Sequence, residues 1–223
     1  MMGRSFREMI AVGCALALTS MVGGTASALP SASPSIFIPV SPDVFGTVAL
    51  NAGMTDYDVR WRRVSSADRN DPRIAEIVAP AAAMDMMHKL ALVQAEVNHR
   101  VTWRADLDGY GVGDYWANAG ETLTKGVGDS EDIAVVKIQA LKAAGFSPRD
   151  LYLSVGRDSK RGADALLLVR AEGQFYALDD RSERPLTAEQ YRRFVPVITL
   201  GQGRSWLHGR NIAGDAQRIR TAR

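Results

Sequence analysis

The sequence is poor in cysteine and histidine. Its 223 residues include one cysteine, Cys14, and three histidines. A single cysteine cannot form a disulfide within the chain or a thiolate metal site, which excludes a disulfide scaffold. An excess of one charge is also missing, since 27 Lys and Arg residues accompany 25 Asp and Glu residues. A charge this close to neutral gives no general attraction to nucleic acid, and we expect no nucleic-acid partner.

The apolar run near the N-terminus is too short to cross a membrane. It covers residues 9–22, whereas a spanning helix needs roughly 20 apolar residues. Arg4 and Arg7 precede the run, and the Ala-Ser-Ala sequence of residues 26–28 follows it. This layout is typical of a secretory signal peptide that is cleaved after residue 28. We therefore predict a periplasmic or secreted protein with no stable membrane insertion after cleavage.

Two alternatives to a cleaved signal remain open. The segment could stay as a membrane anchor, or Cys14 could be a lipoprotein site, although Ala11 stands where such a site usually has leucine. Cleavage would leave 195 residues with 25 basic side chains, 24 acidic side chains and no cysteine. The mature chain would then have no thiol nucleophile.

The remaining sequence is consistent with one folded domain. We assign residues 1–28 to the signal peptide, 29–43 to a leader or linker rich in Pro and Ser, 44–208 to the domain, and 209–223 to a basic, flexible tail. A domain of this length can bury a sizeable core without disulfides.

Hydrophobic periodicity predicts both helices and strands. Residues 57–61 alternate like a short strand, residues 80–101 have helical spacing, and the glycine-rich residues 106–122 indicate a structured loop.

A second helix is predicted to begin at Asp129. Asp129 can cap the helix, Asp132 follows as a capping-box partner, and Gly145 ends the helix with Phe146 packing back on it. Strands are predicted over residues 151–156, 165–170, 174–178 and 195–200, with a tight turn at 171–173. A helix followed by antiparallel strands defines an α+β fold class.

This order of elements suits nucleophilic catalysis. The positive end of a helix dipole lowers the pKa of a thiol in the first turn. A strand packed on that helix can present a base, and the next strand a carboxylate that orients the base.

The sequence resembles the bacterial transglutaminase-like cysteine proteinases, a family that includes periplasmic LapG-type peptidases acting on surface adhesins. The similar segments are VNHRVTWRADLDGYGVGDYW, KGVGDSEDIAVVKIQALKAAGF, LYLSVGRD, ADALLLVRAEGQFYALDD and VPVITLGQGRSW. The resemblance implies a papain/transglutaminase-like fold, in which the helix carrying the nucleophile packs on an antiparallel sheet. It also implies that the partner is a protein or peptide segment, for which a surface adhesin is one candidate.

The sequence departs from the family at the catalytic positions. Ser130 stands where the family has its cysteine, Asp164 where it has its histidine, and Asp179 matches the third position. His88, His99 and His208 all lie away from these positions in the sequence. We therefore predict a catalytically inactive homologue, a pseudoenzyme that binds its partner without cleaving it. Hydrolysis through Ser130 with Asp164 as the base, and a purely structural envelope protein, are the alternatives.

The resemblance also implies a possible calcium site. Asp129 and Glu131 match acids that bind calcium in LapG-type relatives, and the loop containing Asp106, Asp108 and Asp114 offers further oxygen ligands. The alternative is that Asp129 only caps the helix and Glu131 is solvated. No cofactor is required for the predicted function.

Overall fold

A computed structural model describes residues 39–66 and 71–210 of the chain. The expected signal peptide, most of the expected leader and the last 13 residues of the tail lie outside the described residues. None of the described helices combines the length and apolar character that a membrane span requires.

The described residues contain six α-helices. They are α1 (Asp56–Ser65), α2 (Pro72–Val78), α3 (Met86–Arg100), α4 (Asp106–Tyr110), α5 (Ala119–Lys125) and α6 (Ser130–Ala143). Short 3-10 turns cover Ala79–Ala83 and Pro148–Asp150.

The strands form two sheets. They are β1 (Thr47–Gly53), β2 (Thr102–Trp103), β3 (Val127–Gly128), β4 (Leu151–Asp158), β5 (Gly162–Ala171), β6 (Gln174–Leu178), β7 (Leu186–Thr187), β8 (Phe194–Gly201) and β9 (Arg204–Arg210). Seven of them make one antiparallel sheet in the order β1-β9-β8-β4-β5-β6-β7, while β2 and β3 pair in parallel. The predicted α+β fold class is confirmed. β9 continues through Gly209 and Arg210, two residues into the expected tail.

Helix α6 packs its apolar side chains against the sheet and forms the centre of the main core. Ile133, Val136 and Leu141 are at most 1% exposed and share a cluster with Leu167 and Val169 of β5. This burial is the main stabilising contribution to the helix, because apolar surface is removed from water on both elements.

The end of α6 forms as the sequence predicts. Gly145 adopts φ +96°, and its N–H donates to the main-chain oxygen of Lys142 at 3.1 Å. The N–H of Phe146 donates to the oxygen of Leu141 at 2.9 Å. These two bonds define a Schellman motif, with Phe146 buried against the core.

The prediction of a strand over residues 57–61 is wrong, because these residues lie within α1. Thr55 caps the helix through a capping box with Asp58. The Asp58 carboxylate also accepts a hydrogen bond from the Ser205 hydroxyl at 2.8 Å. This distant contact fixes the helical start, which an alternation over five residues does not reveal.

The loop predicted over residues 106–122 contains two short helices, α4 and α5. Asn118 caps α5, with Glu121 completing a capping box. The helix predicted over 80–101 is also divided, since a 3-10 turn ends at Ala83 and Asp85 caps α3. Short helices of one or two turns have too few residues for a clear hydrophobic period.

Candidate active site and adjacent carboxylate cluster

Ser130 occupies the first turn of α6, where the sequence places the nucleophile. Asp129 is the N-cap residue, and its side chain accepts a hydrogen bond from the N–H of Asp132 at 3.4 Å. The indole N–H of Trp103, on β2, donates to the Ser130 hydroxyl oxygen at 3.2 Å. Ser130 is 7% exposed, so its hydroxyl lies just below the surface.

Asp164 lies on β5 beside Ser130. The Ser130 hydroxyl interacts with its carboxylate, and Nη2 of Arg181 contacts Oδ2 at 2.5 Å. The other oxygen, Oδ1, has no partner of good hydrogen-bond geometry among the described residues. Burial raises the pKa of Asp164, although the Ser130 hydroxyl and the Arg181 charge oppose that increase.

Asp179 follows the last residue of β6 and is held by several donors. Its Oδ1 accepts from the N–H groups of Arg181 at 3.2 Å and Ser182 at 2.7 Å, and Oδ2 accepts from the Tyr191 hydroxyl at 2.6 Å. Burial alone would raise the pKa of Asp179, but the hydrogen bonds from Tyr191 and Ser182 outweigh it and lower that pKa to about 2. Asp179 is therefore a permanent anion at neutral pH.

Arg181 links the second and third positions of the predicted triad. Besides Asp164, its guanidinium lies 3.5 Å from Asp179, 3.2 Å from Asp180 and 3.5 Å from Asp158. Burial would lower the pKa of Arg181, but the carboxylates around it outweigh burial and raise the pKa above its ordinary value. Sequence reasoning missed this residue, because no local spacing signals its pairing with Asp164 on β5.

In the ion network around Arg181 the acidic side chains are buried, whereas the basic side chains are partly exposed to solvent. The four Asp side chains are at most 1% exposed, whereas the Arg181 side chain is 22% exposed. Arg193 also pairs with Asp158 and Asp179, at 3.2 and 3.4 Å. Ser130, Asp164 and Asp179 are thus brought together, with a guanidinium group between the last two.

This arrangement does not reproduce a nucleophile–imidazole–carboxylate relay. A guanidinium group stays protonated and has no acceptor, so Arg181 cannot take a proton from Ser130. The Asp164 carboxylate is an acceptor for the Ser130 hydroxyl, and the Arg181 charge offsets part of the rise in its pKa that burial causes.

Two histidines are engaged by other partners. The His88 ring lies 2.7 Å from Asp85 at the exposed start of α3. The His208 ring lies between the hydroxyl groups of Thr47, at 2.7 Å, and Thr199, at 2.8 Å. Burial lowers the pKa of His208 to about 4, so this ring is neutral at pH 7.

A cluster of five carboxylates adjoins Ser130. One oxygen from each of Asp106, Asp114 and Glu131 lies within 4.8 Å of the others, and the same holds for Asp106, Asp129 and Asp132. The cluster therefore includes both acids predicted as metal ligands, together with two acids of the preceding loop. Asp108, the third acid of that loop, belongs to neither group among the described residues.

Asp132 has a different role from the predicted one. Its Oδ1 accepts from the main-chain N–H of Ala117 at 2.7 Å instead of returning to the helix N-terminus as a capping-box partner. A Cβ atom on Gly128 would lie 2.8 Å from the Cβ of Asp132, so glycine at this position lets the chain pass close to that side chain. Sequence reasoning missed Asp132 as a member of the cluster.

Two oxygens of the cluster are buried without a partner. In the described part of the chain, Oδ1 of Asp106 and Oδ2 of Asp132 accept no hydrogen bond. Burial and then repulsion by neighbouring carboxylates raise the pKa of Asp129 to about 10. Burial likewise raises the pKa of Asp132 to about 7. Such a cluster needs protons or a cation to offset its charge.

The carboxylate cluster fits a hard divalent cation. Calcium takes six to eight oxygen ligands at about 2.3–2.6 Å, so oxygens that share one ion lie within about 5 Å of each other. The separations in both groups meet that limit. The two unpartnered oxygens also supply acceptors that no protein donor occupies.

The fold defines the scaffold of a transglutaminase-like cysteine peptidase. The sequence profile of the bacterial transglutaminase-like cysteine proteinases (BTLCP) matches residues 59–208, more than half of the chain. The protein therefore belongs to this family.

Solved structures of LapG from Legionella pneumophila share the fold. One has 20% sequence identity and a TM-score of 0.53, covering 75% of this chain and 94% of that protein. A calcium-bound form has 20% identity and a TM-score of 0.54, covering 74% and 98%. An EGTA-treated form has 20% identity and a TM-score of 0.53, covering 73% and 94%. No significant match was found among curated proteins.

Proposed function

We propose that this protein is an exported, non-catalytic member of its family that binds a protein or peptide segment in the cell envelope. The observation that carries the proposal is the ion pair between Arg181 and Asp164, the residue that the sequence resemblance aligns with the family's catalytic histidine. The same resemblance aligns Ser130 with the nucleophilic cysteine, and the sequence has no cysteine other than Cys14. The signal-peptide pattern of residues 1–28 supports export.

The chemistry of Ser130 supports the non-catalytic assignment. A thiol has a pKa of about 8.5, and a helix N-terminus can lower it into the neutral range. An alcohol is closer to water, whose pKa is about 15.7, and needs a strong base within hydrogen-bond reach. Asp164 is a carboxylate that Arg181 stabilises as an anion, which supplies little of that basicity.

The surface beside Ser130 is suited to binding a peptide. Trp103 is 44% exposed although its indole N–H is bonded to Ser130. The Arg161 guanidinium stacks over the Trp103 ring at 4.4 Å and pairs with Asp180 at 2.7 Å. The Trp103 ring offers apolar contact and the Arg161 guanidinium offers hydrogen-bond donors, so a peptide could use both at the same surface. A surface adhesin remains one candidate partner.

We include calcium as a ligand of the carboxylate cluster. Asp106, Asp114, Asp129, Glu131 and Asp132 would hold the ion. Bound calcium would neutralise part of their charge. Because these residues belong to α4, the following loop and the start of α6, the ion would join the loop to the helix that carries Ser130.

A binding experiment tests the main proposal. The mature protein is screened against envelope proteins and their peptides, and the affinity of each hit is remeasured with Trp103→Ala. We expect saturable binding that weakens at least tenfold in this variant, because an aromatic anchor is lost. Met86→Ala, which truncates an exposed side chain at the start of α3, is the matched control. Absence of saturable binding would instead favour a structural envelope protein.

Hydrolysis through Ser130 is the second candidate function. It is favoured by the contact between Ser130 and Asp164 and by the raised pKa of this carboxyl group. A panel of ester and peptide substrates, with Ser130→Ala as the control, decides between the two. Turnover that disappears in Ser130→Ala would replace the non-catalytic proposal.

A further inference from the structure

We propose that Arg60 is a built-in counter-cation of the carboxylate cluster, and that it weakens the affinity of this cluster for calcium. This inference rests on the calcium site proposed above. Arg60 lies outside the cluster, yet it would help determine the calcium concentration at which the site fills.

Arg60 contacts the cluster from a separate element. It lies on α1, and its Nη1 forms an ion pair with Oδ2 of Asp114. Its charge also interacts with that of Glu131, the neighbouring member of the same group of three acids. Among the described residues, this is the one ion pair between a basic side chain and any of the five carboxylates.

The structure holds Arg60 and Asp114 in place by contacts that do not depend on their ion pair. The start of α1 is anchored through Asp58, which accepts hydrogen bonds from Thr55 and from Ser205 of β9. Arg63, one turn further along α1, donates to the main-chain oxygen of Trp116, two residues after Asp114. Removing the Arg60 charge therefore leaves the loop attached to the helix.

In the part of the chain that the structure describes, the donors to Asp106 and Asp132 are neutral main-chain N–H groups. Asp106 accepts from the N–H of Tyr115 at 2.5 Å, and Asp132 accepts from the N–H of Ala117. Among the described residues, Arg60 is therefore the basic side chain that pairs with the carboxylates a divalent ion would contact. The affinity of a calcium site depends on the charge of its surroundings, so a guanidinium group on one ligand opposes binding.

The size of the effect is limited by solvent. The Arg60 and Asp114 side chains are 47% and 52% exposed, so their charges are partly screened by water and salt. We expect the substitution Arg60→Gln to tighten calcium binding about tenfold at low ionic strength. The difference should shrink as salt is added, since mobile ions screen the guanidinium charge.

The test is a calorimetric calcium titration of the full chain and two variants. Arg60→Gln removes the charge and keeps a side chain of similar length. Arg62→Gln is the matched control, because it removes the same charge from the same helix while Arg62 donates to the main-chain oxygen of Asp58. We expect the control to bind calcium within twofold of the unsubstituted protein. Circular dichroism in chelator checks that each variant is folded.

Equal or weaker calcium binding by folded Arg60→Gln would overturn the inference, and so would an equal gain in Arg62→Gln. If the unsubstituted protein binds no calcium, the calcium proposal above fails in its simple form. Calcium binding gained in Arg60→Gln would then still support the role of Arg60, and no binding in either protein would overturn both.

Discussion

Lys137 lies on α6 with its side chain fully buried, and its ammonium group donates to the main-chain oxygen of Asp179. The amide groups of Gln94 and Asn98 donate to the same oxygen, at 3.0 and 3.1 Å. Three donors from two helices thus hold the turn that contains Asp179. Burial lowers the pKa of Lys137 to about 7, and the charges of Asp179 and Asp180 offset only part of this effect.

We predict that Lys137 makes stability depend on pH. Between pH 7 and 10 the unfolded chain keeps this proton and the folded chain releases it, so the free energy of unfolding rises with pH. Each pH unit contributes about 1.36 kcal/mol. From pH 7 to pH 10 the free energy of unfolding should therefore rise by about 4 kcal/mol more in the unsubstituted protein than in Lys137→Met. Urea unfolding of both proteins at pH 7 and pH 10 measures it, and parallel pH profiles would contradict the assignment.

We further predict that Arg181→Gln is strongly destabilising. The change leaves Asp158, Asp164, Asp179 and Asp180 buried with less counter-charge, and breaking a buried pair costs about 3–5 kcal/mol. Arg192→Gln, at an exposed arginine of the same segment, should cost less than about 0.5 kcal/mol. Chemical unfolding at pH 7 compares the two. Similar losses in both variants would show that the network around Arg181 contributes little.

At the scale of elements, the end of α6 depends on a left-handed residue. Gly145 has φ +96°, a conformation that a Cβ atom disfavours by about 1–2 kcal/mol. We therefore expect Gly145→Ala to lower the free energy of unfolding by that amount. Gly113→Ala is the control, since its Cβ would meet open space and its φ is not positive. Equal thermal stability of the two variants would mean that the Schellman motif is not rigid.

The elements that the sequence predicts well are those whose signals are local. The cap at Asp129 and the stop at Gly145 lie within α6 itself, and the predicted strands correspond to β4, β5, β6 and β8. Helix α1 was misassigned because its start depends on a contact between Asp58 and Ser205, which are 147 residues apart. Strands β1 and β9 likewise pair the two ends of the domain, which no local pattern indicates.

The candidate site shows the same contrast between local motifs, which the sequence reveals, and contacts between distant segments, which it does not. Ser130, Asp129 and Glu131 share one short motif at the helix start, and the family resemblance predicts their roles. The same resemblance predicts the roles of Asp164 and Asp179. Arg60 and Arg181 were missed because their roles come from charges on other elements, at Asp114 and Asp164. A salt bridge between distant segments leaves no spacing in the sequence to recognise.

At the scale of the whole molecule, calcium and protons should compete for the carboxylate cluster. Burial and mutual repulsion raise the pKa of Asp129 to about 10 and that of Asp132 to about 7. The calcium-free folded protein therefore holds protons that the unfolded chain releases above about pH 4. Its cluster thus becomes more destabilising as pH rises, and a bound cation removes that cost by replacing the protons.

We predict that saturating calcium raises the melting temperature by about 5–10 °C at pH 8, as expected for a ligand at about 100 times its Kd. At pH 5 the increase should be much smaller, because protons occupy the cluster. Asp106→Asn should abolish the increase at pH 8, since Asp106 belongs to both groups of acids. Asp108→Asn, in the same loop but outside both groups, should retain it. An increase that is independent of pH, or that survives in Asp106→Asn, would mean that calcium binds elsewhere.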